Sequence, residues 1–132
     1  MDKHSSNTLK VAEFLAGHPR VKRVNYSHLK THPQYELAQK QMKGGGGLMS
    51  FVVEGGIPSA RTVMDSFKLV IHAVTFGTSR SICMHPATIT HEHMTPEERA
   101  TAGIDDGLIR LSVGLESTPD LIADLEQALA RL

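Results

Sequence analysis

Gly107-Leu108-Ile109-Arg110-Leu111-Ser112-Val113-Gly114 alternates as a half-buried strand does. Successive side chains on a strand point to opposite faces. Ile109, Leu111 and Val113 therefore share one face, and Leu108, Arg110 and Ser112 the other. Three aliphatic residues in register mark the core side. The bounding glycines mark where the strand stops. Arg110 is thus mounted on rigid backbone, on the side away from three aliphatic residues. A guanidinium held this way presents a planar fork that matches a carboxylate. The residue types alone leave an alternative, an exposed or salt-bridged strand arginine.

Downstream, Thr118 predicts an N-cap, with Pro119 at the first helical position and Asp120 favourable to the helix dipole. Leu121, Ile122, Leu125, Ala128 and Leu129 give that helix its apolar stripe. Upstream, Thr95-Pro96-Glu97-Glu98 is a capping box that opens a short helix ending at Gly103. Residues 77–94 lack periodicity and read as a long ordered loop. Ile71 to Phe76 reads as a strand, preceded by a helix from Pro58 to about Leu69. Leu48 to Glu54 is a strand between the run Gly44 to Gly47 and the pair Gly55-Gly56. A helix opens at His32-Pro33 and runs to about Met42, and Val21 to Tyr26 is a short strand. Asn7 predicts the N-cap of the first helix, which Gly17 ends. Helices and strands interleave, so the fold class is α/β: one sheet with helices mainly on one face.

The 132 residues suffice for one domain with its own core. Lys+Arg and Asp+Glu balance at 14 each, and Trp is absent. Neither a charge footprint nor a stacking platform points to nucleic acid or membrane. No apolar run is long enough for a membrane span. The polar start Met1-Asp2-Lys3-His4-Ser5-Ser6 predicts no secretory leader, and the single Cys83 fits a reducing compartment. The expected location is cytoplasmic.

Three other chemistries are weaker readings. His85, His91 and His93, with Cys83 and Glu92 nearby, are residue types that zinc uses, but no C-x-x-C or H-E-x-x-H spacing is present. Loop histidines that cap turns or face solvent are the commoner case, so no metal is expected. Cys83 near His85 or His91 is a weak nucleophile signal beside the default of a buried, inert thiol. The glycine run Gly44 to Gly47 leads from a helix into a strand, whereas phosphate cradles lead from a strand into a helix. It reads as a turn.

As a set, the motifs resemble one family closely. Gly107 to Glu116, followed by Asp120-Leu121-Ile122-Ala123-Asp124-Leu125 and Ala128-Leu129, is similar to the C-terminal signature of the transsulfuration (Cys/Met metabolism) family of pyridoxal-phosphate (PLP) enzymes. That family includes cystathionine γ-synthase, the cystathionine lyases, methionine γ-lyase and the homoserine-ester sulfhydrylases. His85-Pro86-Ala87-Thr88-Ile89-Thr90-His91 resembles its H-P-A-x-x-T-H. Leu48-Met49-Ser50-Phe51 with Gly55-Gly56, His4 with Asn7, Val11 to Leu15, Val24-x-Tyr26 and His32-Pro33 follow in the family's order.

The resemblance implies a small C-terminal domain of the type I PLP fold over residues 1–132, with a roughly four-stranded, mainly antiparallel sheet. It implies that Arg110 grips the α-carboxylate of an amino-acid substrate. It places Thr75 where the family has a serine near the reacting amine, and Thr90 beside the arginine. It sets Val74 against the substrate side chain, where an apolar residue is more like the lyase acting on methionine. Arg80 stands where the family usually has Glu. The family's cofactor lysine lies in an S-x-T-K-type motif, and none of Lys3, Lys10, Lys22, Lys30, Lys40, Lys43 or Lys68 has it. The expected role is a carboxylate clamp for an enzyme catalysing β/γ-elimination or replacement on cystathionine, methionine or homoserine esters. A PLP-binding large domain, or a full-length family protein, would be its partner. No catalytic residue, covalent cofactor or activity is expected of this chain alone. The alternative is a non-catalytic interaction or amino-acid-binding module derived from that domain. A face meant for a large domain is also expected to promote self-association.

Overall fold

The computed structural model describes all 132 residues. In chain order the elements are α1 (Asp2–Ala16), β1 (Val21–Asn25), α2 (Tyr35–Gln41), β2 (Leu48–Val53), α3 (Gly56–Ser66), β3 (Ile71–His72), β4 (Ile82–Met84), a 3-10 turn (Pro86–Thr88), α4 (Pro96–Thr101), β5 (Leu108–Ser112) and α5 (Thr118–Leu129). The strands form one five-stranded sheet in the order β1-β2-β5-β4-β3. All neighbours are antiparallel except β3 and β4, which run parallel.

The strand with Arg110 lies at the centre. Its alternation is as read: Ile109, Leu111 and Val113 join Met49, Phe51 and Val53 of the β2 segment in the main core. Val11, Ala12 and Leu15 of α1, Ala60, Val63 and Met64 of α3, and Leu121, Leu125, Ala128 and Leu129 of α5 close over that face. On the opposite face Ser50 and Met84 flank Arg110 in register. Met84 and Leu108 are nonetheless buried there, beside Pro86 and Ile104 from the long connection to β5.

The fifth strand is a departure from the expected count. β4 falls inside the stretch read as a loop, because its three residues are all buried and show no alternation. The strand expected over 71–76 pairs only at Ile71 and His72. The helix expected to reach Leu69 stops at Ser66. There the Asp124 carboxylate of α5 accepts the backbone N–H groups of Lys68, Leu69 and Val70 at 2.8, 2.9 and 3.0 Å, drawing them away from helical partners. α2 begins at Tyr35 rather than Pro33, since a turn precedes it in which His32 Nδ1 accepts the Gln34 N–H at 3.1 Å.

α1 starts at Asp2, so Asn7 is no N-cap. It sits fully buried within the helix. Its Nδ2 donates to the carbonyls of Gly114 (3.1 Å) and Glu116 (2.9 Å), and its Oδ1 accepts from the Thr118 hydroxyl at 2.8 Å. Thr118 is accordingly inside α5, and Ser117 takes the N-cap position. The capping box at α4 forms as read: Thr95 Oγ1 accepts the Glu98 N–H at 3.2 Å, and the Thr95 N–H donates to Glu98 Oε2 at 2.7 Å.

Candidate functional site

Arg110 is fixed at its base by two neighbouring strands and at its tip by the segment after β3. Its Nη2 donates to the carbonyls of Val74 (2.9 Å) and Thr75 (3.1 Å). Its Cζ stands 5.6 Å from the centre of the Phe76 ring. Beside it opens a cleft of about 390 Å³ whose lining includes Asn25, Ser50, Thr90 and His91, with Leu48, Met84 and Leu108 as apolar wall. Asn25 Nδ2 donates to Ser50 Oγ at 3.0 Å. Thr90 Oγ1 lies 2.7 Å from His91 Nδ1. A cation amid hydroxyls and apolar wall suits a small organic carboxylate.

Of the four residues expected at the site, Arg110 and Thr90 meet in this cleft. Val74 and Thr75 touch the arginine through their carbonyls, and their side chains are exposed outside the cleft lining. The sequence reading missed Asn25, Ser50 and Phe76. Ser50 had a signal as the one polar residue of β2. Phe76 had none, because its contact spans more than thirty residues of chain.

The weaker chemistries find no geometry. His85 is buried and uses both ring nitrogens, Nδ1 at 2.9 Å from Thr88 Oγ1 and Nε2 at 2.7 Å from the Asp106 carbonyl. It is a structural tie to the turn before β5. No three His, Cys, Asp or Glu side chains gather as a metal set. Cys83 faces the core, where burial pushes its thiol up to about 12, so it holds almost no thiolate at neutral pH. In the glycine run, the Gly46 N–H already donates to Ser5 Oγ and its carbonyl accepts from the Tyr26 hydroxyl, both at 3.1 Å. A Cβ at Gly45 would fall 2.3 Å from that same hydroxyl oxygen, so the turn is packed rather than open to a phosphate. Arg80 makes no ion pair. Glu116 instead takes the Ser81 N–H (2.6 Å) and hydroxyl (2.8 Å), tying β4 to the turn after β5.

This small α/β domain, with one fixed arginine on its central strand, has the fold of PLP-enzyme structures. It matches cystathionine γ-synthase from Xanthomonas oryzae pv. oryzae, solved with aminoacrylate and cysteine, at a TM-score of 0.92 and 44% identity, over 99% of this chain and 34% of that one. The chain belongs to the family of Cys/Met metabolism PLP-dependent enzymes, whose model matches residues 1–130. It is 50% identical over 132 residues to L-methionine γ-lyase of Treponema denticola, covering all of this chain and 33% of the relative. It is 44% identical over 130 residues to O-succinylhomoserine sulfhydrylase of Mycobacterium tuberculosis, covering 96% of this chain and 32% of the relative. The chain thus spans about a third of the length of the curated relatives it matches. The residues present do not by themselves fit the family's cofactor. The lining of the cleft includes no lysine to bind its aldehyde and no carboxylate to face its ring nitrogen.

Proposed function

We propose that residues 1–132 are the C-terminal, substrate-carboxylate-binding domain of a cytoplasmic PLP-dependent enzyme of sulfur amino-acid metabolism. The parent reaction is elimination or replacement at the β or γ carbon of cystathionine, methionine or a homoserine ester. The observation that carries this reading is Arg110: a centrally mounted guanidinium, anchored through Nη2 alone, beside a cleft of small-molecule size. When bound by a partner domain, PLP supplies the electron sink. This chain holds the α-carboxylate by charge-assisted bonds from Arg110, with the Thr90 hydroxyl beside it. That fixes which substrate bond faces the cofactor. Val74 and Thr75, exposed on the same segment, face the side chain and amine of the substrate.

The isolated chain is expected to bind no PLP stoichiometrically. Titration followed by visible absorbance and borohydride trapping should give no saturable band and no single labelled lysine. A one-to-one label on one lysine would overturn the half-site reading.

The open face also governs association. Leu48, Val74 and Phe76 are exposed large apolar residues at or beside the Arg110 cleft, and such patches favour contact with another protein surface. Self-association is expected, with light scattering giving a mass above 14.4 kDa at high concentration; a clean monomer throughout would contradict it.

A further inference from the structure

Phe76 has no structural reason to be aromatic except one. It is 61% exposed, contributes nothing to the core, and sits on a segment with few side-chain anchors. That segment is fastened to the face of β5 at two points. Arg110 takes the carbonyls of Val74 and Thr75. Two residues along the same strand face, Ser112 Oγ accepts the Gly77 N–H at 3.0 Å. Gly77 allows the turn between them with φ +75°, and a Cβ there would meet no atom, so its demand is conformational rather than steric. Between the two ties lies the Phe76 ring, 5.6 Å from the Arg110 Cζ. A ring attracts the face of a guanidinium, while a carboxylate binds its edge. The two can therefore be held together.

We propose that Phe76 is a positioning residue for Arg110. Its ring fixes the plane of the guanidinium while Nη2 is held by the two carbonyls, so Nη1 is presented to the carboxylate in one orientation. The proposal rests on the carboxylate-clamp reading above and deepens it. Preorganising the guanidinium lowers the ordering cost of binding.

The test uses the 132-residue chain, labelled with ¹⁵N, and acetate as the probe. The Arg110 Nε–H resonance should carry a ring-current offset and move saturably as acetate is added. Phe76→Leu should abolish the offset and weaken acetate binding on the order of two- to fivefold, the range of an exposed cation–π contact. Phe76→Tyr, which keeps the ring, should restore both. The offset reports only that the ring is near; a role confined to folding would leave acetate affinity unchanged in the folded Phe76→Leu chain. If the folded Phe76→Leu chain binds acetate as the wild type does while Arg110→Met abolishes binding, the positioning role is wrong and the clamp stands. If Arg110→Met binds acetate as the wild type does, the clamp itself is wrong.

Discussion

Asp124→Ala is expected to cost about 3–5 kcal/mol of stability, read as a lower midpoint in urea unfolding. The side chain is buried on α5. Its carboxylate accepts three backbone N–H groups from residues 68–70 and the Gln127 amide at 3.0 Å. Bonds to a charged acceptor contribute roughly 1.5–3 kcal/mol each, and an orphaned buried donor costs a further ~1–3 kcal/mol. The total stays below the sum because Lys68 is an exposed residue, and its part-buried N–H can turn to water once freed.

The same site sets a pH dependence. Burial pushes the Asp124 carboxyl up, but the N–H groups of Lys68, Val70 and Leu69, with Gln127, outweigh it and hold the carboxyl below its ordinary value. A group depressed in the folded state contributes fully above the unfolded carboxylate pKa of about 4. That contribution fades as pH falls through the lower folded value. The stability gap between wild type and Asp124→Asn should therefore be flat near neutrality and shrink below about pH 4. A gap unchanged at the most acid pH reached would sink the assignment of an ionised acceptor.

Asn7 is the second position of large effect. Asn7→Ala leaves the Gly114 and Glu116 carbonyls and the Thr118 hydroxyl without their partner in a largely buried site. About 2–4 kcal/mol should be lost. Asn7→Asp keeps the shape and should do worse at neutral pH, because an anion then faces two carbonyl oxygens instead of donating to them. Protonation would relieve that conflict, so the Asp variant should gain thermal stability on mild acidification while the Ala variant does not. Melting curves at neutral and mildly acid pH separate the two; equal pH responses would contradict the arrangement.

The sequence was most readable where one period persists over a whole element. β5 announces both its core face and Arg110, and α5 announces its stripe. Reading failed where side chains act over distance. Asn7 looks like a cap because caps favour asparagine, yet its partners lie more than a hundred residues away. β4 is too short and too evenly buried to alternate. α3 ends early because of a carboxylate on another helix. At the site, the arginine and Thr90 were visible as residue types at motif positions. The contacts that orient the guanidinium were not, because two of them are backbone carbonyls, which no side-chain pattern encodes.

The strand order also has a meaning in time. β5 is the last strand along the chain, yet it lies between β2 and β4. Until β5 is in place, β1 with β2 and β3 with β4 share no ladder with one another. Each pair keeps an open edge, the feature most prone to wrong pairing. Only the final strand joins them, and it brings Arg110 with it. The segment that carries Arg110 is therefore also the one that covers an edge of each pair.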